Sequence, residues 1–274
     1  MKIAVQFLVV IIFFCSCTSK FGKVLKSKDN EYKYKMAEQY YAQKKWDKAT
    51  QLFEGLFPYV KGTARFEDMY YKYAYCAYNQ KDYLNAENLF KNFTENFPNA
   101  QRTEECEYMR AYCFFKQSPK VELDQTNTSK TVALMQAFIN THPGSERNKQ
   151  AEGIIDQLRQ KQELKDFKAA KLYYDLNFFK SAAVAFSTLM DDYPDSDNSD
   201  SYKLEVVKAY YKYAEMSVAE KQQERYERVL AEISDFEDRF PQSNLHAQIE
   251  DYKTLSSDHI KHLHNEQAKA TSRQ

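Results

Sequence analysis

The stretch AYCAYNQKDYLNAENLFKNFTENFP, running from Ala74 to Pro98, decides the fold. With Ala74 set as position 8 of a repeat, Ala86 falls at position 20, Phe90 at 24 and Pro98 at 32. That is tetratricopeptide spacing. Small residues at 8 and 20 let two helices approach closely, a large residue at 24 fills the space between repeats, and Pro stops the second helix.

The frame extends in both directions. Upstream, Ala37, Trp46, Ala49 and Phe53 take positions 8, 17, 20 and 24, with Pro58 arriving early. Downstream, Ala170, Phe179, Ala182, Phe186 and Pro194 take positions 8, 17, 20, 24 and 32. Two further repeats, Ala111 to Pro143 and Ala209 to Pro241, span 32 residues where Ala74 to Pro98 spans 24, so each is expected to carry 8 extra residues between its helices. Four repeats share an ending: Phe97-Pro98-Asn99-Ala100, His142-Pro143-Gly144-Ser145, Tyr193-Pro194-Asp195-Ser196 and Phe240-Pro241-Gln242-Ser243.

The expected fold is therefore all-α, a superhelix of about five tetratricopeptide-like helix pairs. Repeats 1–3 occupy 31–145, a charged connecting helix 146–166, repeats 4–5 occupy 167–258, and 259–274 reads as a tail. Composition agrees: Tyr 22 and Phe 19 against Gly 5 and Pro 6 favour long helices with aromatic contacts over a turn-rich β fold.

At the other end of the chain, Lys2 precedes an apolar run from Ala4 to Phe14, broken only by Gln6. It is too short to span a membrane and has the form of a secretory signal. The run closes on Ser16-Cys17, a small residue before a Cys, similar to the lipobox of bacterial lipoproteins. Residues 1–16 are read as the signal, Cys17 as the lipidated residue, and 17–30 as a flexible tether; an ordinary cleaved signal is the other reading. Lys20, Lys23, Lys26 and Lys28 fit either attraction to anionic headgroups or a solvated tether.

Several function classes lack their signals. The chain carries 39 basic and 39 acidic residues, so no nucleic-acid partner is expected. The five glycines, at 22, 55, 62, 144 and 153, are too scattered for a phosphate-binding loop. Neither a metalloprotease helix nor a nucleophile elbow is present, so no catalytic residue, metal or cofactor is expected. His259, His262 and His264 lie in the expected tail, and the run Asp191, Asp192, Asp195, Asp197 and Asp200 lacks the Gly and Glu of a calcium loop, which leaves helix capping. Cys76, Cys106 and Cys113 are odd in number and read as buried thiols.

The aromatic pattern is more informative. First-helix positions 5, 9 and 12 are expected to face the groove. Position 5 holds Tyr34, Tyr71 and Tyr108, each 37 apart; position 9 holds Glu38, Tyr75 and Tyr112; position 12 holds Tyr41, Tyr78 and Phe115. Lining a groove, these residues suit extended peptides with aromatic side chains. Packing between helices is the competing reading.

The signal with its lipobox, the five repeats and their Tyr/Phe-Pro-x-Ser endings together resemble the outer-membrane protein assembly factor family BamD, most closely its Bacteroidetes-type form. The likeness is carried by Lys23-Val24-Leu25-Lys26-Ser27 with Glu31-Tyr32-Lys33-Tyr34, by Leu123-Asp124-Gln125-Thr126, by Ala170-Lys171-Leu172-Tyr173-Tyr174, and by Glu220-Lys221 through Glu224-Arg225-Tyr226. The resemblance implies a non-enzymatic lipoprotein anchored by its lipid to the outer membrane on the periplasmic face. It implies two partners, the β-barrel assembly protein BamA and unfolded outer-membrane β-barrel proteins. Two other classes stay open. Glycan-binding lipoproteins of the SusD type are much longer chains with large insertions, and periplasmic cell-wall coordinating repeat proteins add a coiled coil.

Overall fold

The computed structural model describes residues 20–271, and every regular element among them is an α-helix. Helix α1 covers 20–26; α2 is Asn30–Ala42, α3 Trp46–Val60, α4 Arg65–Asn79, α5 Tyr83–Asn96, α6 Thr103–Gln117 and α7 Thr126–Thr141. Then come α8 Asn148–Asp175, α9 Phe179–Asp192, α10 Ser199–Glu215, α11 Ala219–Arg239 and α12 His246–Thr271. The chain divides into two compact units, with the boundary between Arg159 and Gln160 inside α8. The signal 1–16 and Cys17 lie outside the described residues.

The small-residue frame is the core of each pair. Ala37, Ala49, Ala74, Ala86 and Ala182 are 0% exposed and Ala170 is 1% exposed, so every position the frame reserves for a small residue in these pairs is buried. Phe53, Phe90 and Phe186, at position 24 of their repeats, are fully buried beside them. In the first unit Met69 and Cys76 of α4 face back into the core of the first pair, whereas Ala74 and Ala77 face the second.

The turn inside each short repeat is built identically. Lys44, Lys81 and Asn177 adopt φ of 57°, 64° and 63°, each seven residues beyond the position-8 alanine. The next residue's N–H reaches back across the turn: Lys45 to the Tyr40 carbonyl, Asp82 to Ala77 and Phe178 to Tyr173, at 2.9, 3.1 and 2.9 Å. This is the left-handed helix stop that satisfies terminal carbonyls.

The shared Pro-x-Ser ending also has a physical role. Ser145, Ser196 and Ser243 each accept from a backbone N–H two residues on, at 3.2, 3.1 and 3.1 Å, and start the following helix. Each hydroxyl also donates to an acid on the first helix of its own repeat, Glu104, Glu163 and Asp200 respectively. Ser and Asp share the capping expected of this loop: Ser196 takes the Asn198 N–H and Asp200 the Ser201 N–H, while Asn198 at the cap position of α10 makes no side-chain cap bond.

Four expectations need correction. Residues 20–26 are helical and docked, with Val24 2% exposed, so the tether does not extend to 30. The connecting helix does not end at 166 but runs unbroken into the first helix of the fourth repeat as α8, since no Gly or Pro interrupts 154–175. The 8 extra residues form a loop, 118–125, only in the third repeat, where Pro119 blocks helix growth. In the fifth they lengthen α10 and α11 to 17 and 21 residues, because Glu220-Lys221-Gln222-Gln223-Glu224 are strong helix formers. Finally, 259–271 is not a loose tail but the end of α12, and His259 stacks on Tyr226 with ring centres 4.7 Å apart.

Candidate functional site

The candidate face belongs to the first unit, on α2, α4 and α6. Aromatic residues at positions 5, 9 and 12 of an α-helix sit three or four apart and share one side. Six of the eight make one continuous ring chain. Tyr71 lies 4.8 Å from Tyr75, Tyr75 6.2 Å from Tyr78, and Tyr78 6.3 Å from Tyr112. Tyr112 continues to Tyr108 at 5.8 Å and to Phe115 at 5.5 Å. Tyr34 and Tyr41 stand apart from this chain: Tyr41 packs on Trp46 at 5.3 Å and on Phe53 at 6.4 Å within the first pair.

The residues differ in depth. Tyr108 is 3% exposed and lies edge-on to Phe138 at 5.6 Å, so it supports the face from below rather than lining it. The other seven are half-buried. Tyr71 and Tyr75 rest on Phe93 and Phe90, at 6.1 and 5.2 Å. Burial pushes the phenols of Tyr41, Tyr71 and Tyr78 up to about 12, and that of Tyr75 higher still, because its hydroxyl also donates to Glu105 at 2.5 Å. All stay neutral hydroxyls at physiological pH. Glu38 Oε1 and the Tyr108 hydroxyl are buried without a hydrogen-bond partner among the described residues.

A charged ladder, unforeseen from the sequence, runs beside the tyrosines. Arg65, Arg102 and Arg147 each place a guanidinium over a position-5 ring: Tyr34 at 5.0 Å, Tyr71 at 4.4 Å and Tyr108 at 5.4 Å. Each also pairs with the acid three residues before that tyrosine. Arg65 grips both oxygens of Glu31 at 2.7 and 2.8 Å, Arg102 meets Asp68 at 2.7 Å, and Arg147 meets Glu105 at 3.4 Å. Lys72 bridges Glu38 and Asp68 at 2.5 and 2.6 Å. The periodicity was available in the sequence, since Glu31, Asp68 and Glu105 are 37 apart, as are Arg65 and Arg102. Beside Tyr34 a cavity of about 380 Å³ opens between the first two pairs, lined by Glu31, Leu56, Tyr59 and Arg65 among others.

Among the described residues no group of three His, Cys, Asp or Glu side chains is placed to hold a metal ion. Cys76, Cys106 and Cys113 are buried and unpaired, and burial raises the Cys76 and Cys113 thiols to about 12, far from reactive thiolates. No helix among the described residues is long and apolar enough to cross a membrane.

A family model, YfiO, described as outer membrane lipoprotein, matches residues 26–198. The chain belongs to that family. The match takes in the first four repeats, including the whole aromatic face, and agrees with the likeness to BamD at the level of a BamD-like outer membrane lipoprotein. A solved structure, the TPR2AB-domain:pHSP90-complex of yeast Sti1, is similar over 83% of this chain and 98% of that one, at 12% identity and a TM-score of 0.41. No curated protein matches the chain.

Proposed function

We propose that this chain is a scaffold lipoprotein of the outer-membrane β-barrel assembly machinery, of the Bacteroidetes type. It is anchored on the periplasmic face through a lipid on Cys17. It binds the barrel-assembly protein BamA, and its first three repeats recruit unfolded outer-membrane β-barrel proteins.

The observation that carries this reading is the continuous aromatic row across successive repeats in a chain of the outer membrane lipoprotein family. An extended strand sets same-face side chains about 6.6 Å apart, twice its rise per residue. The ring spacings from Tyr75 to Tyr78 and from Tyr78 to Tyr112, 6.2 and 6.3 Å, are close to that repeat, and that from Tyr71 to Tyr75 is shorter, 4.8 Å. Tyr71, Tyr75, Tyr78, Tyr112 and Phe115, flanked by Tyr34 and Tyr41, therefore offer successive rings to alternate aromatic side chains of a barrel strand. The hydroxyls of the tyrosines among them can meet its backbone, that of Tyr75 already donating to Glu105. Charge adds little, since Glu31, Asp68 and Glu105 are already paired with arginines. Binding accordingly depends weakly on salt.

Peptide titration tests the recruiting face. An aromatic-rich peptide copied from the terminal strand of an outer-membrane barrel is titrated into wild type and into Tyr78→Ala/Tyr112→Ala. These two residues suit the test because their ring contacts are mostly with other face residues, and since both also touch the core of the first unit the variant's fold is checked alongside. A clear loss of affinity in a variant with unchanged circular dichroism is expected. Equal affinity would assign the tyrosines to packing alone.

A further inference from the structure

The geometry points to a membrane-facing basic patch at the start of the folded body, where Lys20, Lys23, Lys44, Lys45 and Lys48 meet the phosphates of anionic lipid headgroups. This rests on the reading of Cys17 as the lipidated residue.

The placement follows from how α1 docks. Phe21, in its first turn, packs edge-on against Tyr40 near the C-terminal end of α2, with ring centres 5.6 Å apart. Lys48, in the first turn of α3, holds its Nζ over the same Phe21 ring at 5.5 Å and over Tyr40 at 5.6 Å, and Lys45 Nζ lies 5.9 Å from Tyr40. So α1 runs antiparallel to α2, and its N-terminal end lies beside the α2–α3 turn, Gln43-Lys44-Lys45. Val24 closes the contact from below at 2% exposure.

Chain length then fixes the distance to the bilayer. Only Thr18 and Ser19 separate Cys17 from Lys20, and three residue steps reach about 11 Å at full extension. Acyl chains on Cys17 therefore keep Lys20, at the end of α1 beside the α2–α3 turn, within about two headgroup depths of the hydrocarbon, since the headgroup region is several ångströms deep on each side.

The charge at that turn suits such a neighbour. Lys20, Lys23, Lys44 and Lys45 are exposed and Lys48 is half-buried. None of the five forms an ion pair among the described residues; Lys45 meets only the Gln43 side-chain oxygen, at 2.8 Å. On the tyrosine face, by contrast, Lys72 is clamped by two carboxylates. The nearest acid in sequence to the turn is Asp47, and Asp29 caps α2 at its far end. With Asp47 the one acid within the turn's own sequence, and Lys81 offsetting Asp82 on the neighbouring turn that Gln80 ties to Thr50, the five lysines leave the patch basic. Basic residues held at an anionic surface each strengthen binding by about fivefold. The patch also fixes which end of the first helix pair meets the bilayer, which a lipid on a free tether could not do.

The test uses the full mature chain with Cys17→Ser, so that no lipid contributes. Sedimentation is measured with vesicles of phosphatidylcholine alone and of phosphatidylcholine mixed with phosphatidylglycerol. Binding to the mixed vesicles only is expected. Lys44→Gln/Lys45→Gln/Lys48→Gln should lose about fivefold in affinity for each lysine. A control carrying Lys130→Gln, Lys149→Gln and Lys180→Gln should bind as wild type. Indifference of the wild-type body to phosphatidylglycerol overturns the patch, and so does an equal loss in the control. Neither result touches the anchor, which is read separately from lipid labelling of Cys17 in cells: an unlabelled Cys17 removes the anchor and leaves the vesicle result standing.

Discussion

The guanidinium of Arg102 lies 4.4 Å from the ring centre of Tyr71. The same group donates to Asp68 at 2.7 Å, so one side chain joins the start of α6 to two residues of α4. Arg102→Ala should cost about 1 kcal/mol in urea unfolding, because a partly exposed ion pair and a cation–π contact are each worth at most about 1 kcal/mol. Arg102→Lys should recover less than half of the loss, since a compact ammonium cannot fork a carboxylate and stack on a ring together. Full recovery by lysine would reduce the contact to simple charge pairing.

Asp68 makes the ladder sensitive to acid. Burial alone raises its carboxyl, but hydrogen bonds from Lys72 and Arg102, with their charges, outweigh that and hold it below the usual carboxylate range. A group depressed in the folded state stabilises above its unfolded value, near 3.9, and loses that contribution as pH falls through the folded value. Wild type should therefore lose stability below about pH 4 more steeply than Asp68→Asn. Urea midpoints taken between about pH 6 and about pH 2.5 check this, and parallel curves would contradict it.

Ala86 tests the repeat register directly. It is 0% exposed at position 20, the small-residue position of the α4–α5 pair. Ala86→Leu should overpack the pair and cost about 1–3 kcal/mol, read as a lower thermal midpoint. An unchanged midpoint would place the helix contact elsewhere.

Sequence and structure agree wherever spacing alone encodes contact. Ala74, Ala86, Phe90 and Pro98 reveal a helix pair because small, large and breaker residues must recur at fixed intervals for two helices to touch. Tyr71 and Tyr75 could be placed on one side of α4 from helical period alone, yet their depth could not, because it depends on Phe90 and Phe93 from α5. The arginine ladder was hidden for another reason. Arg65, Arg102 and Arg147 stand at the start of the next first helix but act on the tyrosine of the previous one, and no single-repeat frame pairs them. Helix α1 was obscured by its lysines: Phe21 and Val24 are too few to form a periodic pattern, and they matter only because Tyr40 waits for them. His259 was likewise invisible as a packed residue without the Tyr226 ring beneath it.

Cys17 should carry the lipid. The motive is the apolar run that ends in Ser16-Cys17. Cells expressing the full chain and fed a palmitate analogue should label it, and Cys17→Ala should abolish both label and membrane retention. Label persisting in Cys17→Ala would assign the anchor to another residue.

Membership in a barrel-assembly complex is tested most directly by what stays bound in the envelope. The full chain, tagged at its C-terminus, is recovered from detergent-solubilised envelopes and its partners are identified by mass spectrometry. A large β-barrel protein bearing periplasmic domains should co-purify in stoichiometric amount. Recovery of a sugar transporter instead, or of the chain alone after mild cross-linking, would contradict the scaffold role.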